Sequence, residues 1–340
     1  MLSVQEVHLK RPQTGEALVR ISAVGVNLVD IYWRTGFDPQ PLPLIPGLEA
    51  AGLVAVVGEG VTAVKPGDRV AFARQPGTYA EACLVPTDGL IPLPGALSFE
   101  QGAAFPLQGM TAHYLIHDFR KPSPGDVVLV HAAAGGVGLL LVQWAHHLGA
   151  RVIGAVSTAE KAAAARRAGA DDVILYPERD FAAETRRLTD DHGADLILDG
   201  VGKTTLAGNL EAAALRGHVV IFGAASGPAD PVSPNALMGR SLTLSGRDLR
   251  HFVRGRGEML RRADDVIEGV QSGWLKLSIF DVLPLARAAE AHRLLVRAAD
   301  DGEDRPRGGR SARGADRRGM NPFHPTSAEA RPSAFQFDPW

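Results

Sequence analysis

Asp126-Val-Val-Leu-Val-His-Ala-Ala-Ala-Gly-Gly-Val-Gly138, running on to Gln143, decides the fold. Residues 127–130 are an unbroken apolar run of strand length. A turn of small residues follows at 133–138, then an apolar helix over 137–148. Such a turn lets backbone N–H groups approach a pyrophosphate closely, and the helix N-terminus adds partial positive charge. Any Cβ on the glycines would hold the phosphate off. The full G-x-G-x-x-G spelling is absent, because Ala133 replaces its first glycine, so an ordinary tight turn of an α/β domain is the competing reading. On the dinucleotide reading, Ala134, Gly135, Gly136, Val137 and Gly138 hold the cofactor.

Outward from this turn the chain changes character twice. Between Phe105 and about Arg247, strands predicted at 127–131, 151–156, 172–175, 196–198, 218–222 and 241–244 alternate with alanine-rich helices. That alternation implies βαβ units and a parallel sheet with helices on both faces. Residues 1 to about 105 read instead as short strands at 18–21, 51–57, 69–72 and 80–85, with Pro66-Gly67-Asp68 as a turn. Residues 248–298 are mainly helical in pattern, with a strand predicted at 282–285. Beyond them, an acidic stretch gives way to Arg305, Arg307, Arg310, Arg313, Arg317 and Arg318 in a Gly- and Pro-rich tract. With no apolar period to bury, 299–340 is expected to be a disordered tail, a basic RNA-binding arm being the functional alternative.

Composition narrows the function. A chain of 340 residues can form two domains with good cores. With 45% hydrophobic residues and a net charge of −2, nothing points to nucleic acid or an anionic membrane surface. No apolar run reaches the ~18 residues of a membrane span, and residues 1–3 begin no signal peptide. One cysteine, Cys83, rules out an intramolecular disulfide framework and a multi-cysteine zinc lobe, and it fits a cytoplasmic setting.

Gly125-Asp126, the glycine turn and Gln143 together resemble the signature of the quinone oxidoreductase and zeta-crystallin branch of the medium-chain dehydrogenase/reductase superfamily. His146 departs from it, standing where that family places Lys, Arg or Ser. Val64-Lys-Pro-Gly-Asp-Arg-Val70 and Leu97-Ser-Phe-Glu-Gln-Gly-Ala-Ala104 are similar to further landmarks, and the resemblance covers roughly residues 10–298. It implies an α/β fold in which a Rossmann-type doubly wound parallel sheet, residues 106–247, is inserted in a GroES-like mainly β catalytic domain. That domain is built from 1–105, N-terminally short against the family, and from 248–298. The resemblance also implies a homodimer paired through the edge strand near 241–245. Family chains end in an R-x-x-G-K-type segment and a closing strand. Reading one base later from the codon of Ala298 permits R-T-T-G-K-T, so 299–340 reads as a shifted frame that leaves the catalytic sheet with an unpaired edge.

The resemblance also says where chemistry should sit. The alcohol dehydrogenase branch binds catalytic zinc through a cysteine, a histidine and a further thiol or carboxylate. Here Asn27 stands near the thiolate position and Leu48 where the imidazole would be, and Glu49 alone cannot hold the ion. No metal is therefore expected. Quinones and conjugated C=C bonds are already electron-poor, so the protein need only align reactants, exclude water and supply a proton. Asn27, Asp30 and Tyr32 match the branch's N-x-x-D-x-Y pattern, which implies that Asn27 and Tyr32 line the acceptor cleft as catalytic residues. Both could instead merely stabilise a strand-to-helix turn, and Asp30 reads as a helix cap. Gln108, Met110 and Thr111 border the nicotinamide or simply start a helix. No acid stands at the end of the second strand of the nucleotide domain to accept from a ribose 2′-OH, although Glu160 follows beside Lys161. Ser157, Lys161 and Tyr176 match the family's 2′-phosphate residues, which selects NADPH; Lys161 as a solvated helix residue is the alternative. Asp199-Gly-Val-Gly202 and Phe222-Gly223 end later strands on the ligand edge, where they would support the adenine and nicotinamide sides or be ordinary βα loops. The expected activity is NADPH-dependent hydride transfer to a quinone or related conjugated carbonyl, without zinc. Two alternatives stay open: an enoyl or alkenal double-bond reductase, and an NADPH-binding protein impaired by its altered ends.

Overall fold

In the computed structural model, residues 2–300 and 334–337 are described, and among them thirteen strands form two sheets. The chain opens with β1 (Glu16–Val26), β2 (Glu49–Val57), β3 (Arg69–Ala73), β4 (Ala82–Pro86) and β5 (Ile91–Pro92). It continues with β6 (Val127–His131), β7 (Arg151–Val156), β8 (Asp172–Leu175), β9 (Ala194–Asp199), β10 (Ala213–Ile221) and β11 (Thr243–Gly246). β12 (Asp281–Pro284) and β13 (Ala334–Phe337) return to the first sheet.

The second sheet runs β11-β10-β9-β6-β7-β8, every neighbouring pair parallel. Its chain starts at the centre, goes out one side through β7 and β8, and reverses at β6/β9. That reversal is the topological switch point where doubly wound sheets bind dinucleotides. All residues of β6 and β9 are buried, as expected where helices cover both faces of a parallel sheet. β11 starts two residues later than predicted because Ser241 has φ 53°, a left-handed conformation that cannot extend a strand. β10 stops at Ile221, one residue early, which leaves Phe222 in the ligand-edge loop.

The first sheet runs β12-β13-β1-β2-β3-β5, with β4 also paired to β1. β1 is longer than the predicted 18–21 because two register irregularities let it bend between β2 and β4. The helix Arg256–Gln271, which the sequence assigns to the return segment, buries Met259, Ala263 and Val266 in the same core as Val128, Leu140 and Met110 of the nucleotide domain. The chain rejoins the first core only with Leu283, Ala291 and Leu295.

The tail requires a correction. The expected unpaired edge is occupied: β13 lies between β1 and β12, parallel to the first and antiparallel to the second. Strand pairing satisfies backbone groups that composition alone left without partners. The rest of the expected disordered tail, 301–333 and 338–340, lies outside the described residues, as does Met1.

Candidate active site

The glycine turn is built for close backbone approach. Ala132 follows β6 at φ 47°, Gly135 N–H donates to Ala132 O at 2.8 Å, and the helix Gly136–His147 starts at once with Gly135 as its N-cap. A Cβ on residue 138 would collide with the Ala132 carbonyl, so only glycine fits there. The missing first glycine has a compensation in β7. Buried Ala133 faces Gly154, where an added Cβ would stand 3.0 Å from its own. Ala134 is buried, Val137 is half-buried, and the Gln108 carboxamide leans over Gly136 where a Cβ would otherwise sit.

The three residues matched to a 2′-phosphate converge at the ligand edge of the sheet. Ser157 directly follows β7, and Lys161 lies in the first turn of the helix Ala159–Arg167. Lys161 Nζ donates to Ser157 Oγ at 3.0 Å. Tyr176 directly follows β8, its N–H donating to Val156 O at 3.2 Å. Lys161 is only 8% exposed, which does not fit a solvated helix residue.

Across the switch point, β9 ends in Asp199, the strand end that the sequence places on the ligand edge, and its side chain is the centre of a buried network that the sequence does not show. Its carboxylate accepts from Val201 N–H at 2.7 Å, Thr205 Oγ1 at 2.7 Å and Asn209 Nδ2 at 2.6 Å. Asn209 Oδ1 lies 2.7 Å from His131 Nε2 at the end of β6. Asn209 spends its amide hydrogens on Asp199, so His131 is the donor in that bond, and burial lowers its pKa and keeps it neutral. This network fixes the loops after β6 and β9. Phe222 N–H donates to Asp199 O at 2.9 Å, and Gly223 packs so tightly on Gly200 that a Cβ would meet its carbonyl.

Asn27 caps the helix Leu28–Thr35, and its N–H donates to Asp30 Oδ2 at 2.9 Å, so Asp30 is the reciprocal cap that the sequence indicates. The Asn27 side chain turns inward. Its Nδ2 donates to Glu49 Oε2 at 2.9 Å, and its Oδ1 accepts from Gln108 Nε2 at 3.2 Å. Gln108 therefore joins the catalytic domain to the glycine turn. Burial pushes the Glu49 carboxyl up to about 8, against the opposing Leu107 N–H and Asn27 bonds. Tyr32 packs its ring on Phe37 at 5.0 Å and hydrogen-bonds the Ala224 backbone just past Gly223; burial raises its pKa, so the hydroxyl remains a donor. Met110 is core, and Thr111 is buried on the same helix as Gln108.

Residues 13–95 match the alcohol dehydrogenase GroES-like domain, and residues 136–267 match the zinc-binding dehydrogenase family. The chain is 40% identical over 301 residues to a 2-haloacrylate reductase from a Burkholderia species, covering 86% of this chain and 90% of that protein. It is 38% identical over 296 residues to quinone oxidoreductase 1 of Escherichia coli K12, covering 86% and 90%. The crystal structure of the Escherichia coli quinone oxidoreductase complexed with NADPH superposes with a TM-score of 0.82 at 37% identity, covering 86% of this chain and 91% of that one. The chain belongs to the quinone oxidoreductase branch of the medium-chain dehydrogenase/reductase superfamily.

Two features of this quinone oxidoreductase relative become readable at that point. Where a zinc-binding member would place its ligands, Asn27 and Glu49 are bonded to each other and Leu48 offers no donor atom. Among the described residues no group of three His, Cys, Asp or Glu side chains could hold a metal ion. Gln143, part of the signature, is also explained. Its Oε1 accepts from Lys276 N–H at 2.7 Å and its Nε2 donates to Lys276 O at 3.2 Å. That clamp holds Lys276, Leu277 and Ser278 as one wall of a recess beside Gly136 and Gln108, a contact that no local pattern could reveal across 133 positions.

Proposed function

We propose that the protein is an NADPH-dependent oxidoreductase that delivers a hydride to a quinone or related conjugated carbonyl without zinc. The observation that carries this reading is the pairing of buried Lys161 with Ser157 directly after β7, a strand end free of carboxylate. When bound, NADPH supplies the hydride. The chain's own part is to hold, orient and protonate. The turn Ala134–Gly138 fits a pyrophosphate, because Cβ atoms at 136 and 138 are excluded by contacts already made. Lys161, Ser157 and Tyr176 fit a ribose 2′-phosphate, while Gln108, Thr111, Phe222 and Gly223 border the nicotinamide half. Asn27 orients the acceptor carbonyl, and Tyr32 donates a hydrogen bond or proton to its oxygen.

A second reading, reduction of an activated C=C bond, is favoured by the 2-haloacrylate reductase among the relatives. NADPH oxidation against a panel of quinones and enones separates the two. Binding of NADPH with no turnover on any acceptor would overturn both. Tyr32→Phe removes one hydroxyl and keeps the ring, so kcat/KM for the acceptor should fall about tenfold or more while NADPH affinity barely changes; unchanged turnover would make Tyr32 a packing residue. Purified protein is expected to hold no stoichiometric zinc and to keep its activity in chelator. About one zinc per chain by elemental analysis, lost together with activity, would refute the zinc-free reading.

We further infer a homodimer through the β11 edge, which is an outer strand of its sheet, testable by sedimentation. A cytoplasmic setting suits a single, buried cysteine. Among the described residues no helix is long and apolar enough to cross a membrane, and the reading calls for no membrane or nucleic-acid partner.

A further inference from the structure

Glu49 opens β2 directly opposite Gly25 of β1. A Cβ on residue 25 would collide with Glu49 Oε2 and with the Ala103 carbonyl, so the absent side chain is what makes room for a carboxylate. The seat is closed: Glu49 is 1% exposed. Its Oε1 accepts from Leu107 N–H at 2.6 Å, in the first turn of the helix Pro106–His117. Backbone donors there have no partner within the helix, and the helix end favours negative charge. Its Oε2 accepts from Asn27 Nδ2 at 2.9 Å.

Both oxygens thus act as acceptors, and this dictates the polarity of the next group. A carboxamide has one donor end and one acceptor end. With its NH2 held by Glu49, Asn27 must deliver Oδ1 to Gln108, whose Nε2 donates to it at 3.2 Å. A flipped amide would set Oδ1 against a carboxylate oxygen and NH2 against the Gln108 donor, losing both bonds.

We infer that Glu49 is a positioning residue: a buried carboxylate, seated by Gly25 and the Leu107 N–H, that fixes which end of the Asn27 carboxamide faces each way in the acceptor cleft. Beyond its bonds to Glu49 and Gln108, Asn27 retains one N–H of its carboxamide, and the same lock sets its direction. The inference rests on the reading of Asn27 as the acceptor-orienting residue.

A double-mutant cycle on the full chain tests it, with NADPH and duroquinone at pH 9, where Glu49 is ionised. Glu49→Gln keeps the volume but must turn an NH2 toward either Leu107 N–H or Asn27 Nδ2, so the polarity of the seat is broken. Either Glu49→Gln or Asn27→Ala should lower kcat/KM for duroquinone about tenfold or more. The double variant should be no worse than Asn27→Ala alone, because two residues acting through one group are not additive. The Kd for NADPH should stay within about threefold throughout. Glu49→Asp retains the charge and should lose less; it takes the place of Glu49→Gln if that variant does not fold, and its loss should likewise vanish in the Asn27→Ala background. Losses that multiply in the double variant would overturn the inference while leaving Asn27 in place, and so would NADPH affinity falling in step with kcat/KM. Undiminished turnover of Asn27→Ala would instead remove the acceptor-orienting role itself.

Discussion

Lys161→Ala is expected to raise the Kd for NADPH by about tenfold to a hundredfold while that for NADH changes less than about threefold. The asymmetry follows from geometry. Lys161 Nζ stands at the end of β7, 3.0 Å from Ser157 Oγ, on a helix whose N-cap, Thr158, accepts from Lys161 N–H at 3.2 Å. On the proposed reading the ammonium is anchored to meet a 2′-phosphate, and a charge-assisted hydrogen bond to phosphate contributes roughly 1.5–3 kcal/mol, about one to two decades in Kd. A ribose 2′-OH carries no charge and loses far less. The Thr158 cap survives the substitution because it uses the backbone, so folding should be preserved. Fluorescence titration with both nucleotides measures the difference. Equal weakening of the two would mean that Lys161 shapes the loop and does not read the phosphate.

That residue is legible in the sequence, and so is most of the nucleotide domain, for a shared reason. The functional groups of a doubly wound sheet lie at strand ends, and the strands announce themselves as apolar runs. Val127–His131 and Arg151–Val156 match their predicted bounds to the residue, so Ser157 and the glycine turn follow from position alone. What cannot be read is contact made across large separations. Asp199 can be placed at a strand end on the ligand edge, but its bond from Asn209, and through Asn209 the link to His131, follows from no linear pattern. Glu49 reads as a failed zinc ligand, since nothing in a linear pattern shows that Gly25 clears space for it or that Leu107 supplies its donor. β13 shows the same limit. Composition argues for an unstructured tail across 299–340, whereas the pairing of 334–337 depends on which edge is vacant, a property of the assembled sheet.

Asp30→Asn is expected to be more stable than the wild type at pH 8 but to match it near pH 4. Asp30 is fully buried in the first turn of the helix that carries Tyr32, and its Oδ2 accepts from Asn27 N–H at 2.9 Å and from the Tyr79 hydroxyl at 3.1 Å. Burial pushes its carboxyl up to about 7, with those two donors opposing the shift. Behind it, Tyr79 Oη lies 2.9 Å from His292 Nε2, and Arg34 Nε donates to His292 Nδ1 at 3.1 Å. Burial lowers His292 to about 4, so the ring is neutral above that pH; with Nδ1 accepting, Nε2–H donates to Tyr79 and Tyr79 donates to Asp30. The chain of donors ends on Asp30 and offers it no cation. The sign then follows. The folded pKa lies above the unfolded one, so between about pH 4 and 7 the native state keeps a proton that the unfolded chain has released. The contribution of Asp30 to stability is therefore complete below pH 4 and is lost as pH rises to 7. A shift of about three units sets an upper bound of roughly 4 kcal/mol on that loss. The carboxamide of the variant keeps an acceptor for both donors and has no charge to bury, so the unfolding free energy of Asp30→Asn should hardly fall over the same range on this account. Glu49, whose carboxyl is also raised, is present in both proteins and cancels apart from its repulsion by the Asp30 charge, which the variant lacks and which therefore adds to the variant's advantage at high pH. Urea unfolding at pH 5 and pH 8 should show the advantage of the variant growing by a few kcal/mol. An advantage that is the same at both pH values would mean that Asp30 is ionised throughout and that the Tyr79 and Asn27 bonds outweigh its burial.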